Sequence, residues 1–173
     1  MFRRVVVPLD GSPLSEAILP CVRALANGSP LEVELVAVAT PPHDLGLRER
    51  GGPYVGQLPG AEAERLREYL QTMAARLTDA GLQVRTHVFT GEPAAEIVRH
   101  AQAVGADLIA MSTHGRTGLA RLLHGSVAAA VLRDAGRPLL LLRPSAEAFA
   151  AQQGAAGSAA APAHGGDAPA PAN

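Results

Sequence analysis

Asp107-Leu108-Ile109-Ala110-Met111-Ser112-Thr113-His114-Gly115-Arg116-Thr117-Gly118, with Gly125-Ser126 seven residues further on, decides how the rest of the chain is read. It opens as a short apolar run behind a single charge, the pattern of a buried strand. The segment Val127-Ala128-Ala129-Ala130-Val131-Leu132-Arg133 then has helical composition, with Ser126 placed to cap it. A strand that enters a glycine-rich loop and then a capped helix turns several backbone N–H groups toward one point, at the positive end of a helix dipole. That arrangement favours an anion, most often a phosphate. Glycine matters because a side chain there would hold the ligand away from the amides.

Working outward, the chain alternates strand and helix. Arg4-Val5-Val6-Val7-Pro8-Leu9-Asp10 is a β-branched strand closed by Gly11. Ser12 caps a helix with Pro13 at its first position; Leu14, Ile18, Cys21/Val22 and Leu25 share one face, and Pro20 interrupts the helix and should bend it. Leu31 to Ala39 reads as strand two, alternating at Val33 and Leu35 and then continuously apolar. The stretch from Thr40 to Gly60 is rich in Pro and Gly, and loops this long usually belong to lids or mobile insertions. Ala61 to Ala80 is the clearest helix, with Leu66, Tyr69/Leu70, Met73 and Leu77 on one face and Glu62, Glu64, Arg65, Arg67 and Glu68 as its solvated side. Leu82 to Phe89 follows as strand three, Val84 and Val88 alternating with Arg85 and His87. A third helix packs Ala94, Ile97, Val98 and Ala101 inward and stops at Gly105. After the helix that ends at Gly136, Pro138-Leu139-Leu140-Leu141-Leu142 forms a last apolar strand.

The order β-α-β-α-β-α-β-α-β implies an open, doubly wound parallel sheet with two helices on each face. Apolar residues make up 47% of the 173 and aromatic residues 3%, so the core is built from Val, Leu, Ile and Ala, as suits strands buried on both sides. We place this α/β domain at residues 1–144. Beyond it, 145–173 turn to Ala, Gly, Pro, Ser and Gln and carry too little branched apolar surface to offset ordering, so a disordered tail is expected.

Composition also excludes several classes. A net charge of −1, no Trp and few other aromatics argue against nucleic acid or an anionic membrane as partner. No run reaches the length of a membrane span, and the apolar run after Met1-Phe2-Arg3-Arg4 is too short for a signal peptide. The single cysteine, Cys21, forbids an internal disulfide and reads as a small buried apolar residue. No Cys/His spacing resembles a metal site, and His43 and His87 read as ordinary polar positions. A cytoplasmic setting is expected.

In such a sheet, ligands lie beyond the carboxyl ends of the strands, where the winding reverses. If strands one and four are neighbours, Pro8-Leu9-Asp10-Gly11-Ser12 and Met111 to Gly115 line one crevice, and the Asp10 carboxylate faces the glycine-rich loop. Neither Walker A nor Gly-x-Gly-x-x-Gly is present, and the chain contains no lysine.

From Arg4 to about Arg143 the sequence resembles the universal stress protein family. The resemblance rests on Val-Pro-Leu-Asp-Gly-Ser (7–12), Gly-Glu-Pro (91–93), Gly-Ala-Asp-Leu-Ile (105–109) and, above all, Ser-Thr-His-Gly-Arg-Thr-Gly-Leu-Ala-Arg-Leu-Leu-His-Gly-Ser (112–126). The nucleotide-binding branch carries Gly-x2-Gly-x9-Gly-(Ser/Thr). Gly115 and Gly125-Ser126 match its second part, while its first glycine falls on Ser112. The resemblance implies strand order 3-2-1-4-5 and an adenine nucleotide, ATP or a related adenylate, with or without Mg. Adenine would lie near Asp10 and Val38, and the phosphates on amides of Gly115, Arg116, Gly125, Ser126 and Val127. With the crevice residues Pro8, Leu9, Met111, Ser112 and His114, these make up the candidate site. The family also implies a homodimer joined through the last strand, Pro138 to Leu142.

Plainer roles stand beside these. Ser126 serves equally as a helix cap, Asp10 as a dipole partner and Arg116 as a solvated loop residue. His114 is read as ordering its loop and His124 as a surface or interface residue, with no catalytic residue assigned. Three functions remain: a stress or signalling protein that holds ATP with little or no hydrolysis, a relative with an empty site that works through protein contacts, and a slow ATPase.

Overall fold

A computed structural model describes residues 2–26, 28, 30–40, 60–113 and 127–144. The segments read above as a long loop, as the glycine-rich loop from His114 to Ser126 and as a disordered tail lie outside the described residues, apart from the long loop's ends at Thr40 and Gly60. In chain order the elements are β1 (Arg4–Pro8), α1 (Pro13–Glu16), α2 (Leu19–Ala26), β2 (Glu32–Ala39), α3 (Ala61–Asp79), β3 (Gln83–Thr90), α4 (Pro93–Ala103), β4 (Leu108–Ser112), α5 (Val127–Asp134) and β5 (Leu139–Leu142). The five strands form one sheet in the order β3-β2-β1-β4-β5, every neighbouring pair parallel. This is the order the family resemblance implies, and it sets β1 against β4.

Strand parity divides the core. Val5 and Val7 of β1 and Val33, Leu35 and Ala37 of β2 face one side, where they meet Ile18 just before α2, Val22 within it, and Leu66, Leu70, Met73 and Leu77 of α3. Val6, Val36, Ile109 and Met111 face the other, under Ala94, Ile97 and Ala101 of α4 and Ala128 and Val131 of α5. The spacing of Leu66, Leu70, Met73 and Leu77 is the i, i+4, i+7, i+11 stripe of one helix face, and all four are buried. Asp107 aligns the amino ends of β1 and β4. Its Oδ2 accepts the N–H groups of Arg3 and Arg4 at 2.8 and 2.9 Å, and those backbone donors hold the carboxyl below the usual carboxylate range.

Two sequence expectations need correction. The first helix is broken rather than bent: α1 stops at Glu16 and α2 begins at Leu19. Pro20 cannot donate to the carbonyl of Glu16, and its ring would clash with that carbonyl, so the ladder parts at Ala17-Ile18. Ser12 does cap α1 as expected, accepting from the Ser15 N–H at 3.2 Å. The second correction concerns His87. The alternation of Val33 and Leu35 puts Glu34 on the opposite face of β2, but that face lies beneath α4, and Glu34 is 1% exposed. His87 of β3 and buried His100 of α4 turn toward its carboxylate, with Nε2 atoms 2.7 and 3.6 Å from Oε2. Burial pushes the His100 imidazole below the usual histidine range, and neighbouring His87 adds to the effect.

Candidate functional site

The carboxyl end of β1 is set by local hydrogen bonds. The Leu9 N–H donates to the Val36 carbonyl at 2.8 Å, which carries the β1–β2 ladder one residue past Pro8. Asp10 then turns the chain: its Oδ1 accepts the Ser12 N–H at 2.9 Å in an Asx turn, and its own N–H donates to Ser15 Oγ at 3.3 Å. Gly11 between them has φ of +82°, a left-handed conformation that side-chain-bearing residues rarely take. Partial burial pushes the Asp10 carboxyl up, but hydrogen bonds from Ser12 and Ser15 outweigh it and hold the group below its ordinary range. Asp10 is therefore an anion at neutral pH.

Next to it, β4 ends at Ser112, and the Thr113 N–H donates to the Leu142 carbonyl of β5 at 2.9 Å. The Ser112 hydroxyl oxygen is buried and has no hydrogen-bond partner among the described residues. Such a group loses its water without compensation, at a cost of about 1–3 kcal/mol. Ser112 is also a lining residue of the cavity between the two strand ends, where a ligand that reached this hydroxyl would supply the missing partner.

Between these two strand ends lies a cavity of about 400 Å³, within the range of about 300–1,000 Å³ usual for small-molecule sites. Of the candidate residues, Pro8, Leu9, Asp10, Val38, Met111, Ser112 and Val127 all line it. The other five, His114, Gly115, Arg116, Gly125 and Ser126, lie outside the described residues. Val127 and Ala128, the first two residues of α5, also line the cavity.

Sequence reasoning missed several lining residues. Val36, Leu66 and Ile97 extend the apolar wall, while Thr40 and Glu62 add polar groups. Leu66 and Ile97 carry an inward-facing pattern that does not distinguish core from cavity wall. Glu62, read as part of the solvated face of α3, stands at the amino end of that helix where it meets the crevice. A wider, shallower depression of about 760 Å³ lies at the opposite end of the sheet, lined by Pro20, Arg23 and Gly81 among others. It is at the amino ends of β2 and β3, away from the reversal of winding, and gathers no comparable polar set.

Fold and crevice together define a doubly wound α/β protein whose cavity opens beyond the carboxyl ends of β1 and β4. Residues 1–143 match the model of the universal stress protein family, and the chain belongs to that family. It is 32% identical over 144 residues to universal stress protein MJ0531 of Methanocaldococcus jannaschii, a match covering 83% of each chain. The solved structure of MJ0577 from the same organism superposes with a TM-score of 0.69 at 27% identity, covering 84% of this chain and 99% of that one. A universal stress protein solved in complex with cAMP matches with a TM-score of 0.62 at 23% identity, over 83% of this chain and 98% of the other, a likeness of fold. Among the described residues, no helix is long and apolar enough to cross a membrane.

Proposed function

We propose that the crevice binds an adenine nucleotide, ATP or a closely related adenylate, with little or no hydrolysis, and that the protein serves stress response or signalling in the cytoplasm. The observation that carries this is the meeting of Asp10, Val38, Ser112 and Val127 around one cavity, with a hydroxyl on Ser112 that no described residue partners. The apolar wall of Leu9, Val36, Val38 and Ile97 suits the faces of a purine. Asp10, with one carboxylate oxygen committed to Ser12, offers the other as an acceptor for a ribose hydroxyl or the adenine amino group. The phosphate side falls to Ser112, the start of α5, and the amides of Gly115, Arg116, Gly125 and Ser126. That a family member of this fold has been solved with cAMP is consistent with the reading, which stands on this chain's own crevice.

The test begins with denaturing the purified protein and looking for released adenine nucleotide by chromatography and mass. Calorimetric titration of the emptied protein with Mg-ATP follows. Saturable binding supports the proposal; no heat and no thermal protection at millimolar ligand would make this a member that works without nucleotide. We further propose a two-fold homodimer through β5. Its four leucines form the sheet edge and are each only half-buried, and an apolar edge of that kind pairs.

A further inference from the structure

A second cluster of chemistry-bearing side chains lies outside the crevice. Glu34, His87 and His100 come from β2, β3 and α4, and their three ligand atoms all lie within 4.8 Å of one another. We propose that these three side chains form a binding site for a divalent late first-row metal ion, zinc foremost, held by Glu34 Oε2 and the two histidine Nε2 atoms.

The geometry is close to what such an ion needs. Two ligands on one zinc, each about 2.0–2.1 Å from it, stand roughly 3.3 Å apart in a tetrahedral arrangement. Glu34 Oε2 and His100 Nε2 are 3.6 Å apart, too far for a hydrogen bond and close to that spacing. His87 Nε2 and Glu34 Oε2, now hydrogen-bonded at 2.7 Å, need to open by about half an ångström. His87 Nε2 gives up any proton it carries, either to its own Nδ1 or to solvent, and its lone pair then turns to the metal.

The independent sign of a ligand is His100. It is 6% exposed, points its Nε2 at the carboxylate, and that atom has no hydrogen-bond partner among the described residues. An imidazole nitrogen buried without a partner is unfavourable unless something occupies the space before it. The rings are also held in place. Phe89 lies 5.2 Å from His100 and parallel to His87 at 6.1 Å between centroids. The guanidinium groups of Arg4 and Arg85 stand 3.9 and 3.8 Å from Glu34 Oε1, on the carboxylate's other oxygen, and leave Oε2 to the histidines. Arg4 is in turn occupied by Glu32 at 2.8 Å. His87 is about one-third exposed, which gives an ion a path in and leaves a position for water. Two imidazoles with one carboxylate suit zinc, copper or nickel rather than magnesium or calcium. The ion would tie α4 to β2 and β3 one helical turn behind Ile97 in the crevice wall.

The probe is zinc chloride, titrated calorimetrically into the full, tag-free chain after chelator treatment. One zinc per chain is expected at neutral pH, with magnesium chloride giving no corresponding heat. His87→Gln should weaken binding by at least about tenfold, since losing a ligand costs no less than losing a supporting contact. Circular dichroism checks that this variant stays folded, as its place on an edge strand implies. The chain has six histidines, so a variant with His43, His114, His124 and His164 all replaced by alanine should keep wild-type affinity. Equal binding by His87→Gln, or loss of binding in the fourfold variant, overturns the proposal, as does a wild-type chain that takes up no zinc. X-ray absorption on the zinc-loaded wild type tests the site without any variant: two histidine ligands support it, and any other number refutes it.

Discussion

Ser112→Ala should move stability and affinity in opposite directions. In the ligand-free protein the hydroxyl oxygen is buried without a partner among the described residues, and removing it relieves a desolvation cost of about 1–3 kcal/mol. The methyl of alanine fits where the serine Cβ already lies, so little packing is lost. Taking the low end, about 1 kcal/mol, a domain of this size should gain roughly 3–5 °C in melting temperature. Binding should suffer. If the hydroxyl meets the nucleotide, the lost hydrogen bond contributes about 0.5–1.5 kcal/mol, or roughly 2- to 13-fold in Kd. Differential scanning calorimetry of the emptied protein and titration with Mg-ATP measure the two effects separately. A melting temperature lowered by the substitution would show that Ser112 has a partner in the free protein. An unchanged Kd would show that the ligand does not reach it. Either result refutes the reasoning about Ser112, and the second removes the hydroxyl from the nucleotide site.

Three further outcomes are expected. Asp10→Asn should weaken Mg-ATP binding by about tenfold if the carboxylate accepts from the ligand. Because the folded carboxyl lies below its ordinary 3.8, its contribution is complete above that value and is lost only as pH falls through the lower folded one; the ratio of wild-type to variant affinity should therefore stay flat from about pH 5 to 8, and a ratio that changes there contradicts the assignment. Leu70→Ala removes a side chain at 0% exposure between α3 and the sheet and should cost about 3 kcal/mol in urea unfolding, with a loss below about 1 kcal/mol showing that this face is loosely packed. Leu141→Arg should convert a dimer to a folded monomer by light scattering, and a wild-type chain that is already monomeric at micromolar concentration would sink the β5 interface.

What the sequence disclosed follows from which physical signals are local. Val5-Val6-Val7 and Leu108-Ile109-Ala110-Met111 are continuous apolar runs because both faces of a parallel sheet are covered, so the strands announced themselves. Leu66, Leu70, Met73 and Leu77 did the same for α3. The crevice was legible because Asp10 and Ser112 sit at strand ends, where topology alone sends ligands. The break at Ala17-Ile18 was half legible: Pro20 marks the fault, but the lost bond is the one to Glu16, so the ladder opens upstream of the proline. The Glu34 cluster was hidden for a different reason. A strand pattern of Val33, Glu34, Leu35 reads as one buried and one wet face, and only the packing of α4 over that second face makes Glu34 a buried charge. His87 and His100 are thirteen residues apart on different elements and carry no motif spacing. Their meaning arises when β3 pairs with β2 so that His87 lies opposite Val36, two residues past Glu34 on the same face. Long-range register, which no window of sequence contains, is what turns three unremarkable polar residues into a candidate metal site.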